Sequence, residues 1–88
     1  MSIHGADIQQ LRDLSTKFNT EAGNLGTLIG HLQSATSSSD SYWKGPAAER
    51  FRSEWAQLKP TFDKFVATLH DAQKSASTNA DNIEAATR

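Results

Sequence analysis

Tyr42-Trp43-Lys44-Gly45-Pro46 lies near the middle of an 88-residue chain and separates two long runs of helical periodicity. Gly45 can take backbone angles closed to other residues, and the fixed φ of Pro46 suits the first position of a new helix. One helix therefore ends before this stretch and another starts at Pro46. Trp43 is a bulky apolar side chain in an otherwise polar connection, and its expected structural role is a plug that seals the end of a hairpin.

Working back from the turn, Ser34 to Ser41 is polar and serine-rich and reads as the connection, with residues 37–45 as the turn. Before it, Ile8, Leu11, Ser15, Phe18, Ala22, Leu25, Ile29 and Leu32 advance by alternating steps of three and four, which is a heptad seam. Leu14 and Leu28 lie beside this seam and widen it toward the breadth of a bundle helix. Gly5 discourages an earlier start. Asp7 with Gln10 three residues on fits an N-cap, so the spacing predicts a first helix over about 7–36. Gly23, Gly26 and Gly30 share one face of it. Each costs about 1 kcal/mol relative to alanine in a helix interior. A well-packed seam can tolerate them, or their missing side chains can admit a close neighbour.

Working forward, Ala48, Phe51, Trp55, Leu58, Phe62, Phe65, Leu69, Ala72, Ala76, Asn79 and Ile83 repeat the three-four alternation without a slip. A second helix over about 46–84 follows, with Glu49 in its first turn at the positive end of the helix dipole. At about 1.5 Å per residue it would be roughly 55 Å long, so the shape is a rod. Pro60 falls inside the run, but the seam keeps its phase from Leu58 to Phe62, which predicts a kink on the outer face and no break. From about Asn79 the composition thins to Ala, Ser, Thr and Asn, and the last turns are expected to fray unless held.

Two amphipathic helices joined by a short turn lie antiparallel, each placing its seam on the other. The fold class is therefore all-α, a single helix-turn-helix hairpin spanning residues 1–88. Four of the seven aromatic residues, Phe51, Trp55, Phe62 and Phe65, fall within four turns of one helix. A two-helix layer covers only part of such broad stripes, leaving an apolar band of the kind that marks an interface. A second hairpin would complete a four-helix bundle. Composition agrees, because a chain of this size has a marginal core of its own and the absence of cysteine removes disulfides and thiolate metal sites as supports.

Charge and motifs exclude most other functions. The formal net charge of -1, with scattered Lys and Arg, gives no footprint for nucleic acid or an anionic membrane. No apolar run reaches a membrane span, and the N-terminus lacks the basic and apolar regions of a cleaved signal peptide. His4, His31 and His70 have no pair at the four-residue spacing of helical metal ligands. The mixed charges of Glu49, Arg50, Arg52 and Glu54, and of Asp63, His70 and Asp71, are ordinary for a solvated helix face. No phosphate loop or nucleophile motif occurs, so no enzyme activity and no cofactor is expected.

With its central Trp43-Lys44-Gly45 turn flanked by two helix-period seams in a small cysteine-free chain, the sequence resembles the WXG family, the early-secreted-antigen-like substrates of bacterial type VII secretion. The resemblance covers nearly the whole chain. It implies a hairpin that pairs with a paralogous WXG-type hairpin as a four-helix bundle, a heterodimer being favoured and a homodimer possible. It also implies export of the folded pair by the membrane-embedded type VII secretion ATPase, from the cytoplasm to the outside of the cell, without a cleaved signal peptide. Trp43 and Gly45 are then export-recognition residues as well as turn residues. Leu11, Phe18, Leu25, Leu28, Leu32, Phe51, Trp55, Leu58, Phe62, Phe65 and Leu69 make the hairpin and dimer interface. The family's Tyr-x-x-x-Asp/Glu export motif has no match here, since Tyr42 is followed four residues on by Pro46 and residues 79–88 carry no aromatic side chain. The chain is therefore expected to be the subunit without that signal, carried out by a partner that has it. Two other roles fit the same hairpin: an adaptor or chaperone for a larger toxin with a similar N-terminus, and a membrane-active helix pair. The second is poorly served by a polar face that mixes acids and amides with Lys and Arg.

Overall fold

The computed structural model describes residues 5–86, with side chains from Asp7 onward. Helix α1 spans Gly5–Ser39 and helix α2 spans Pro46–Ala86. They pack antiparallel along their length into a rod of 64 × 16 × 15 Å. Four polar contacts fix the register from the turn to the far end. Arg52 Nη1 donates to Ser39 Oγ at 3.1 Å, Trp55 Nε1 to Gln33 Oε1 at 2.7 Å, Ser15 Oγ to the Gln73 carbonyl at 2.9 Å, and Arg12 Nη2 to Glu84 Oε2 at 2.7 Å.

The seam between the helices is narrow and built from small side chains. From α1, Ser15, Ala22, Ile29 and Thr36 are buried at seven-residue intervals. From α2, Ala48, Trp55, Ala76 and Ala80 are buried, and Phe62 and Leu69 are half-buried at the heptad positions between. Alanine and serine let the helix axes approach closely, yet each buries little area. At about 0.8 kcal/mol per buried CH₂, each alanine of the seam supplies far less than the roughly 1.5–3 kcal/mol of a fully buried Leu or Phe. The bulk of the apolar side chains lies elsewhere. Leu14, Leu28, Leu32, Phe51, Leu58 and Phe65 remain 40–53% exposed.

The element boundaries depart from the sequence expectation at three places. Helix α1 already includes Gly5, so Asp7 lies in its first turn and favours the helix through the dipole, not as a cap. The serine run does not begin the turn, for Ser37, Ser38 and Ser39 continue the helix and the turn narrows to 40–45. Burial of Thr36 and Ser39 against α2 explains this, with the Ser39 hydroxyl donating to the Thr36 carbonyl at 2.6 Å inside the last turn. The far end of α2 runs to Ala86, two residues past the expected end at about 84. Ala80 is fully buried there, and Arg12 reaches Asp81 at 3.0 Å as well as Glu84. Hydrogen bonds that Arg12 donates, first to Glu84 and then to Asp81, raise its pKa above the ordinary value. Stability gained from a raised arginine is complete at every pH below the unfolded value and is lost only in stronger alkali.

Pro60 sits exposed within the continuous α2. Its missing N–H leaves the carbonyl one turn earlier, at exposed Ala56, to water. The Lys59–Asp63 ion pair at 2.7 Å spans the same turn.

Candidate functional site

Two features stand apart from the seam: the turn that carries Trp43, and an apolar face along one flank of the rod.

At the turn, Gly45 holds φ at +109°, a value that L side chains rarely adopt. Its carbonyl accepts the Glu49 N–H at 3.0 Å, which starts α2 with Pro46 as the first helical residue. On the other side, the Trp43 N–H donates to the Ser39 carbonyl at 2.7 Å and closes off α1. Trp43 lies against Phe51, ring centroids 5.7 Å apart at 45°, and stays 39% exposed. It caps the hairpin only in part and presents one face to solvent. Arg52 fastens the arrangement from below. Its Nη1 donates to the Trp43 carbonyl at 3.1 Å and to Ser39, while Nη2 stands 3.7 Å from Asp40. Sequence spacing gave no hint of this role, since Arg52 looked like one of several charges on a solvated face.

Along the rod, the residues expected at the hairpin and dimer interface separate into two groups. Trp55 belongs to the hairpin's own core, with its indole N–H satisfied by Gln33 and its ring 6.1 Å from Phe62. Leu11, Phe18, Leu25, Phe62 and Leu69 are half-buried at the margins of the seam. Leu28, Leu32, Phe51, Leu58 and Phe65 are exposed, and Leu14 joins them on the same flank of α1. Between the helices an open groove of about 540 Å³ runs past Phe18, Leu25, Leu28, Phe65 and Leu69, with Lys17, Glu21 and Asn24 as its polar members. The seam and the exposed stripe are interleaved in one heptad pattern. On α2 one heptad position, with Ala48, Trp55, Phe62 and Leu69, packs within the hairpin, and the other, with Phe51, Leu58 and Phe65, is left outside.

Gly23, Gly26 and Gly30 fall on the opposite flank of α1 from the leucines, at 100° per residue. A Cβ at any of the three would meet nothing within 4 Å, so no close approach inside the hairpin requires glycine there. His31 is exposed and His70 half-buried, while His4 lies outside the described residues. Among the described residues no group of three His, Cys, Asp or Glu side chains is placed to hold a metal ion, and no helix is long and apolar enough to cross a membrane.

A family model described as proteins of 100 residues with WXG, WXG100, matches residues 5–87. Protein YukE of Bacillus subtilis is 26% identical over 76 residues, which cover 86% of this chain and 78% of that protein. The type VII secretion system extracellular protein A of Staphylococcus aureus is 22% identical over a stretch of the same length and coverage. Among solved structures, EsxA of Geobacillus thermodenitrificans superposes with a TM-score of 0.86 at 24% identity, over 91% of this chain and 88% of that one. At this identity the superposition speaks to the fold.

Proposed function

Because this chain belongs to the WXG100 family, proteins of 100 residues with WXG, matched over residues 5–87, we propose that it is a non-enzymatic substrate of a type VII secretion system. It leaves the cytoplasm folded, as one half of a four-helix bundle. The observation that carries this reading is the uncovered stripe from Leu14 to Leu32 and from Phe51 to Phe65 on a hairpin whose own seam is mostly alanine, serine and threonine. A second hairpin laid antiparallel covers that stripe along the whole rod. All the exposed large apolar residues of the α2 helix itself lie between Phe51 and Phe65, toward the turn, whereas Ala72, Ala76 and Ala80 occupy the other half. Reversing the partner sets bulky halves against slender ones.

Export recognition falls to the turn. Arg52 and Gly45 hold Trp43 with one face exposed at the tip of the rod, where a secretion ATPase can reach it. Tyr42 is 74% exposed beside it, but Pro46 replaces the acid of a Tyr-x-x-x-Asp/Glu signal, so that signal is assigned to the partner hairpin. The relative named as an extracellular protein of a type VII system supports the destination. The test is secretion of a tagged chain from a bacterium with an intact type VII system, compared with a strain whose ATPase is inactive. Trp43→Ala is expected to stop export while the mass of the complex in the cytoplasm stays the same. Export of Trp43→Ala at the normal level would reduce Trp43 to a turn residue.

A further inference from the structure

Ser39, the last residue of α1, is bonded on both sides of the turn. Its carbonyl accepts the Tyr42 N–H at 3.1 Å and the Trp43 N–H at 2.7 Å. Its hydroxyl donates to the Thr36 carbonyl at 2.6 Å, which leaves the oxygen's lone pairs to accept Arg52 Nη1 at 3.1 Å. The same nitrogen donates its other hydrogen to the Trp43 carbonyl at 3.1 Å, and Nη2 stands 3.7 Å from Asp40. Both backbone polar groups of Trp43 are thereby fixed, the N–H to the end of α1 and the carbonyl to α2. With both held, the direction of the Trp43 side chain is set, and Phe51, the neighbour of Arg52 in the chain, meets its ring.

We propose that Arg52 and Ser39 are positioning residues for export: acting through Trp43, they set the direction in which its indole faces the secretion machinery. The inference rests on reading Trp43 as an export-recognition residue. Phe51 alone is a weak guide to that direction, because the indole is tilted at 45° against it and stays 39% exposed. A recognition side chain carried on a turn binds well only if its supporting contacts hold it in place beforehand, since ordering it on binding costs affinity. The support is specific to a guanidinium. One nitrogen serves two acceptors while the other faces Asp40, a fork that the single ammonium of lysine does not reproduce. As a source of stability the charge pair is slight, for Asp40 is largely exposed and lies beyond hydrogen-bond distance of Nη2. What the network fixes is geometry.

The test sets export of the tagged full chain beside fluorine NMR of the complex recovered from the cytoplasm after labelling with 5-fluorotryptophan. Trp43 and Trp55 then report separately, and Trp43→Phe and Trp55→Phe assign their signals. Arg52→Gln is expected to lower export at least about tenfold. Arg52→Lys and Ser39→Ala, which each keep part of the network, are expected to fall between Arg52→Gln and wild type. In all three the Trp43 signal is expected to shift, while the Trp55 signal, the mass of the complex and its helix content stay as in wild type. A purely structural role would lower the denaturation midpoint and leave export of the intact complex unchanged. The inference is overturned if Arg52→Gln is exported normally, if export falls with the Trp43 signal unmoved, or if Arg52→Gln and Ser39→Ala both lose helix. Trp43→Ala measured alongside separates the two readings. Normal export of Trp43→Ala removes the recognition reading itself, whereas arrested Trp43→Ala with normal Arg52→Gln removes only the positioning role.

Discussion

Gly45 is the residue whose conformation the hairpin cannot do without. Its φ of +109° lies outside the regions open to other residues, and it sits between the last bond of α1 and the first of α2. Space is not the constraint, because a Cβ there would meet no atom within 4 Å. Gly45→Ala is therefore expected to cost about 1–3 kcal/mol through backbone strain alone, read as a lower denaturation midpoint without loss of any side-chain contact. A neutral effect would mean that the turn can relax into another geometry. Trp43 and Arg52 form the second residue-scale pair. The sequence singled out Trp43 by its size and position. Arg52 was invisible to it, because nine residues separate the guanidinium from the carbonyl it holds and only the closed turn brings them together.

At the scale of the helices, propensity and packing pull in different directions. The three-four alternation placed α1 and α2 well, and Pro46 marked the start of α2 to the residue. The C-terminal end of α1 and the far end of α2 were set by contacts that no local pattern encodes. Burial of Ser39 and Thr36 drew a serine-rich segment into the helix, and Arg12 anchored a stretch of weak composition. The glycines of α1 illustrate the same division. With open space around Gly26 and no role in the seam, Gly26→Ala is expected to stabilise the hairpin by about 1 kcal/mol in thermal or chemical denaturation. It should leave association unchanged, since Gly26 and the leucine stripe lie on different flanks. Weakened association would instead mean that a second helix packs closely on the glycine flank.

For the whole molecule, the sequence announced too much apolar surface for one hairpin but not which residues the hairpin would keep. Trp55 and Phe65 sit on the same seam by spacing, yet Trp55 is 7% exposed and Phe65 is 52% exposed. On α2 the heptad pattern buries one position and leaves the other exposed, and only the register of α1 on α2 decides which is which. Phe65→Glu is accordingly expected to weaken pairing at least about tenfold, seen by light scattering, with helix content falling in step with the lost mass. Trp55→Glu places a carboxylate in the seam itself and is expected to lose helix at every concentration. The central claim, that this rod is half of a larger bundle, is tested most directly by light scattering and far-ultraviolet circular dichroism on one dilution series of the purified chain. The account predicts that helix content and mass fall together on dilution, because the seam alone is too thin to hold the fold. A particle of single-chain mass that keeps its full helix content at every concentration, with no tendency to associate, would contradict it.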